Sequence, residues 1–204
     1  MGLDMYLTRM PRHNGATAND VTKVENFLDW IKAKLDGSEY AKCSLKEWCG
    51  CDKMPAQSDI EFYADYYKAT YSDWDKEKEH PWWRIKEEVG YWRKANQIHN
   101  WFIQNCADRD ECGDPIDDCR PIEITVDKLE ELLEACKKVL ADHSLASLLL
   151  PTQSGFFFGS TDYDEYYFED IKNTIEIIEP VIKFAKHKLE IKDYVWEGWY
   201  QASW

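Results

Sequence analysis

The two ends of this chain alternate while its interior repeats at helical spacing, and that combination leaves few folds open. At the start, Leu3, Met5 and Leu7 interleave with Asp4, Tyr6 and Thr8, a period of two that reads as a strand over 2–10. At the finish, YVWEGWYQASW is aromatic and roughly alternating, and it reads as a second strand. A terminal strand carries a row of backbone donors and acceptors that need a partner, and the N-terminal strand is the obvious one. The expected fold is therefore α+β: a mainly helical single domain over 1–204, with a small sheet formed by the N- and C-terminal strands. A length of 204 residues suits one such domain.

Between the ends the pattern changes. Asp20 is placed to cap a helix running to about Leu35, with Val24, Phe27, Leu28 and Ile31 on one face and Gly37 as its stop. Residues 38–80, which hold the run IEFYADYYKATY, follow neither period cleanly and read as an insertion packed on the main body. Pro81 then precedes a segment, 82–105, that is apolar on nearly every side at 100° per residue, so it reads as one central buried helix. Gly90 in its middle costs about 1 kcal/mol relative to Ala unless another backbone approaches there. Residues 106–122 read as loop. Thr125 caps a helix over 126–141 whose stripe is Leu129, Leu132, Leu133, Cys136, Val139 and Leu140. GFFFGS at 155–160 reads as a brief buried strand or bend. A long helix follows from Thr161 or Asp162 to about Leu189, with a kink expected at Pro180.

Charge excludes several functions. Lys and Arg number 25 against 39 Asp and Glu, for a net charge of −14. Such a chain repels phosphate backbones and argues against direct DNA-backbone binding. No run approaches 18 apolar residues, so no membrane span is expected. The N-terminus shows no basic leader with an apolar core, and the expected compartment is the cytoplasm. The acids are concentrated. Residues 108–119 carry six against Arg109 and residues 162–170 carry five, together 10 of the 14 net charges. A concentrated acidic surface either solubilises the chain or steers it toward a basic partner, in the second case imitating nucleic acid.

Seven cysteines without a secretion signal do not suggest a disulfide framework. Six of them form two clusters, Cys43, Cys49 and Cys51, then Cys106, Cys112 and Cys119. These are weak candidates for zinc, because neither cluster contains the paired C-x-x-C knuckle. Cys136 falls on an apolar stripe and belongs to the core. Ten Trp and twelve Tyr either build an aromatic core under the terminal sheet or face a partner, a homo-oligomer among the options.

Two segments are candidate sites. On the helix expected over 82–105, Asn96 and His99 fall inside the apolar face with Trp92, and Arg93 and Asn100 sit together beside it. Buried polar groups need partners, so the cluster is either an internal network or the wall of a pocket. As a wall, Arg93 would meet an anion, Asn96 and Asn100 would orient it, His99 would bond it, and Trp92 or Trp101 would stack on a ring. A small phosphorylated or nucleotide-like molecule suits that set. The second segment is Gly155 to Thr161, where Ser160 and Thr161 precede a helix N-terminus that attracts anions. Asp162, Asp164 and Glu165 follow directly and fit helix capping better than phosphate binding. No GxxxxGK[ST], GxSxG, HExxH or GxGxxG motif is present, so an enzyme is not the favoured class.

MGLDMYL at the start, YWRKANQIHNWF, LLPTQSGFFFGSTDYDEYYFEDI and the ending YQASW together resemble a family of small proteins encoded by tailed phages and prophages. The resemblance covers both ends and the second half of the chain. It carries over no catalytic residue. It implies a phage accessory protein made in the bacterial cytoplasm, and proteins of that kind often antagonise host functions or defence systems. Three functions follow as expectations: a binder of a small nucleotide-like ligand, an acidic inhibitor of a host protein, and a metal-assisted phosphoesterase using His99 with Asp162, Asp164 or Glu165.

Overall fold

The computed structural model describes residues 2–13, 26, 30, 87–189 and 194–204. By backbone contacts the chain divides into two compact units. One comprises Met1–Met10, Glu87–Lys192 and Trp196–Trp204, the other Pro11–Lys86 and Asp193–Val195. Almost all described residues fall in the first. Of the helix expected from Asp20, Asn26 and Trp30 are helical. The rest of that helix and the 38–80 insertion lie outside the described residues.

The fold of the first unit is α+β. Strand β1 (Asp4–His13) and strand β2 (Glu87–Arg93) pair antiparallel, with Met5 opposite Trp92 and Leu7 opposite Gly90. Helix α1 (Asn96–Cys106), strand β3 (Ile122–Ile124) and helix α2 (Val126–Ala141) follow. Then come a single 3₁₀ turn, the short α3 (Ala146–Leu149), the long α4 (Glu165–Leu189) and strand β4 (Tyr194–Ser203). The sheet order is β2-β1-β4-β3, so the two terminal strands lie side by side at its centre, as their alternation predicts. β3 has no counterpart in the sequence reading, where the loop over 106–122 reaches only its first residue. Its three residues bury Ile122 and Ile124 and expose Glu123, too short a run to show a period.

One expectation is corrected. Residues 82–105 do not form one helix: 87–93 are strand β2, and helix α1 begins only at Asn96. Trp92 and Arg93 therefore sit on a strand, with Trp92 buried and its neighbours Tyr91 and Arg93 exposed. The two segments join at Lys94, whose φ of 62° is left-handed and breaks both elements. Gly90 gives the reason for the strand. A Cβ there would lie 2.5 Å from Cγ2 of Ile177 on α4, so the missing side chain lets the long helix rest against the sheet. Helix α1 starts without a side-chain cap or an acidic first turn, which leaves its boundary without a local signature. Once begun, it is enclosed: Asn96 to His99 and Trp101 to Ile103 are all buried.

The other helices follow their patterns. Thr125 caps α2 by accepting from the Lys128 N–H, and Leu129, Leu132, Cys136 and Val139 are buried. α4 buries Tyr167, Ile171, Thr174, Ile178, Val181, Ile182 and Ala185, a stripe at three- and four-residue spacing that packs along α2 and β2. Lys186–Glu130 and Lys137–Glu179 ion pairs join the exposed flanks of α2 and α4. No helix among the described residues is long and apolar enough to cross a membrane.

Candidate functional site

Asn96, at the first position of α1, governs the shape of the surface around it. Its Nδ2 donates to the carbonyls of Phe158 and Ser160 at 3.1 and 2.7 Å, and its Oδ1 accepts from the Gln153 N–H at 3.0 Å. Asn100, one turn on, donates to the Pro151 carbonyl at 3.0 Å. The Leu3 N–H adds a bond to the Phe157 carbonyl at 3.1 Å. The segment 151–160 is thus fastened to α1 and to the start of β1. It is a bend, with Phe158 buried inside and Phe156 exposed at its tip.

Beyond that bend lies a cleft of about 370 Å³ between Arg93–Gln97 and Gly159–Asp170. Two left-handed residues meet in its lining. Gly159 has φ of 92°, and a Cβ there would meet the Lys94 Cβ at 3.3 Å. Lys94 is a non-glycine residue held in the left-handed region, a local strain kept by its surroundings: its N–H donates to the Leu3 carbonyl at 2.8 Å. Arg93 stands beside it with its side chain 62% exposed and 3.8 Å from Asp4.

The 159–170 side of the cleft is acidic. Asp164 accepts from the Tyr167 N–H at 3.1 Å and caps the start of α4. Asp162 and Ser160 bond each other, the Asp162 N–H donating to the Ser160 hydroxyl at 3.0 Å and that hydroxyl donating back to the carboxylate at 3.1 Å. Asp170 lies deeper. Burial pushes its carboxyl up to about 6, a bond from Gln97 works against the rise, and Glu169 and Asp164 add to it. Gln97 is itself buried, and its Nε2 donates to Asp170 Oδ2 at 3.3 Å and to the Tyr167 carbonyl at 3.4 Å. Tyr166 lines the cleft and is 75% exposed.

The residues singled out from the sequence therefore divide. Arg93, Asn96 and Ser160 line the cleft. Thr161 is exposed, and its carbonyl accepts from Thr152 Oγ1 at 3.1 Å. Trp92 is buried against α4, its indole N–H donating to Thr174 Oγ1 at 2.9 Å. Trp101 is buried with its ring edge-on to Phe102. Lys94, Gln97, Tyr166 and Asp170 join the site without having been selected. A signal for Asp170 was present: 167, 170, 171 and 174 share the inward face of α4, so a carboxylate sits inside an apolar stripe.

His99 is fully buried elsewhere. Its Nδ1 lies 2.7 Å from the Tyr200 hydroxyl and its Nε2 lies 3.1 Å from Asp117 Oδ2. With the Tyr200 O–H donating to Nδ1 and Nε2–H donating to the carboxylate, every group keeps one role. Burial and the nearby Asp117 charge hold the Tyr200 phenol well above its usual value, so the hydroxyl keeps its proton. Phe158 and Trp204 set their rings edge-on to the imidazole. The space beside His99 has no room for a water molecule. This is a filled network that ties α1, β4 and the 108–119 loop together, away from Asp162, Asp164 and Glu165.

Cys106, Cys112, Cys119 and Cys136 are free thiols, and burial pushes those of Cys106 and Cys136 up to about 12. Among the described residues no three His, Cys, Asp or Glu side chains group as metal ligands. Cys43, Cys49 and Cys51 lie outside the described residues. Comparison with protein-family models, curated proteins and solved structures finds no match to this chain.

Proposed function

We propose that this chain acts by non-covalent binding, and that the cleft between Arg93–Gln97 and Gly159–Asp170 holds a small phosphorylated, nucleotide-like ligand. One observation carries the reading: the cleft is bipolar. The 93–97 side supplies N–H donors and positive charge from Arg93 and Lys94, and the 159–170 side supplies acceptors from Asp162, Asp164 and Asp170. A ligand that complements both walls carries an anion at one end and N–H groups at the other, as a nucleotide does. The volume of about 370 Å³ falls in the range of small-molecule sites, roughly 300–1,000 Å³. The tyrosine at 166 supplies a face on which a ring can stack. The resemblance of the sequence to tailed-phage proteins supports a setting in the bacterial cytoplasm, with a nucleotide-like signal of host defence as the ligand.

The test is equilibrium binding of nucleoside monophosphates to the whole chain. Arg93→Ala combined with Lys94→Ala should weaken binding at least tenfold, about 1.4 kcal/mol, with an unchanged melting temperature. Equal binding by the double variant, or no binding by the natural chain, would reject the assignment.

A second reading, an acidic inhibitor of a host protein, rests on a different observation. Asp108, Asp110, Glu111, Asp114 and Asp118 are all exposed on one loop, and Arg109 braces it through the carbonyls of Gly113 and Gln104 at 2.8 and 3.0 Å. A braced acidic loop suits a basic partner surface.

A further inference from the structure

We propose that the cleft selects a ring whose edge presents two adjacent N–H donors, the edge of guanine, and that the Asp170 carboxylate is the acceptor that reads it. The proposal rests on the nucleotide reading of the same cleft and adds the identity of the base. It starts from how the three carboxylates on the acidic wall are bonded. Asp162 accepts from the Ser160 hydroxyl and Asp164 from the Tyr167 N–H, each within its own loop or helix start, and both are exposed. Asp170 is half-buried and is held from another element, its Oδ2 accepting from the side-chain amide of Gln97 on α1. An ionised carboxylate has about four lone-pair sites and no donor. The sites left on Asp170 accept two parallel N–H groups, and that bidentate geometry is what gives a carboxylate its selectivity.

Gln97 fixes the carboxylate rather than competing with it. It is buried, and its amide bridges Asp170 and the Tyr167 carbonyl, so the acceptor is held in place before any ligand arrives. The bases then rank by their edges. Guanine offers N1–H beside its 2-amino group, two donors. Hypoxanthine keeps N1–H and lacks the amino group. Adenine sets an unprotonated ring nitrogen beside its amino group, and that lone pair would face a carboxylate lone pair. With the phosphate directed to Arg93 and Lys94 and the ring against Tyr166, the mononucleotide spans both walls.

Protonation supplies an independent handle. The groups acting on Asp170 are Gln97 from α1 and Glu169 and Asp164 on its own side, and Arg93, Lys94 and Asp162 line the same cleft. Because burial raises this carboxyl to about 6, it is an acceptor-only group above that pH and carries a proton below it. The preference for two donors therefore belongs to neutral pH and fades toward pH 5.

Calorimetric titration of the full chain with GMP, IMP and AMP tests the ranking. At pH 7.5 GMP should bind at least tenfold tighter than AMP, with IMP between them. Asp170→Asn replaces one acceptor oxygen by a donor and should bring GMP and AMP within threefold of each other. At pH 5.0 the natural chain should show the same loss of preference, which keeps the test decisive if the variant fails to fold. The ratio of the two nucleotides cancels the titration of their common phosphate. If all three bind equally, and neither the variant nor the pH alters that, the base assignment is overturned while the nucleotide reading stands. If none binds, both fall.

Discussion

His99 illustrates how a single residue can carry chemistry without facing a ligand. Its ring satisfies Tyr200 and Asp117 at once, within a shell of aromatic side chains. Removing it leaves a buried hydroxyl and a carboxylate without their shared partner. Asp117 already has one buried oxygen, Oδ1, without a hydrogen bond among the described residues. An unmade bond to a buried charged group costs about 1.5–3 kcal/mol, and the cavity adds to that. His99→Ala should therefore lower the unfolding free energy by about 3 kcal/mol in urea titrations while nucleotide affinity stays within twofold. A large loss of affinity at full stability would return His99 to the binding site. From the sequence, the imidazole in an apolar face could be read either as network or as pocket wall. Which one holds depends on Asp117 and Tyr200, 18 and 101 residues away.

At the scale of the element, β2 is the instructive case. Its residues satisfied a helical wheel because Val89 and Tyr91 on the outer side of the strand are as apolar as the buried Trp92, so the alternation of burial is not an alternation of residue type. The contact between Gly90 and Ile177 decided it, since α4 lies where a side chain would otherwise project. Gly90→Ala should cost about 1–3 kcal/mol through overpacking, read as a lowered urea midpoint. Ile177→Ala combined with it should recover part of that loss, because the two side chains would compete for one space. Additive costs from the two substitutions would show that the strand does not approach α4 there. By contrast α2 and α4 were legible in advance. Thr125 and the stripe from Leu129 to Val139 lie within one helix length of each other, and a pattern that short is written into neighbouring residues.

For the whole molecule, the sheet order is the controlling fact. β4 follows every other described element along the chain and lies between β1 and β3, so the sheet is complete only once β4 is in place. β4 also brings Tyr200, which stacks on Phe102 with ring centroids 4.1 Å apart and bonds His99. A chain ended at Asp193 should show no cooperative thermal transition and no near-ultraviolet circular dichroism, because the core of the first unit loses its central strand. A sharp melt from that truncation would mean the helices alone suffice.

What the residues determined on their own was the set of strongly periodic pieces: a strand at each end, the capped helix after Thr125, the long helix ending near Leu189, and an acidic surface. Each is encoded within about ten residues, where side-chain spacing and capping act directly on the local backbone. Tertiary structure decided the rest. It made 87–93 a strand because β1 supplies its hydrogen bonds from about 85 residues away. It also built the cleft, by using Asn96 to draw 158–160 against α1 and so bring Arg93, Lys94 and Asp170 into one lining. A hydrogen bond between distant residues leaves no period in either segment, so only the folded chain reveals it.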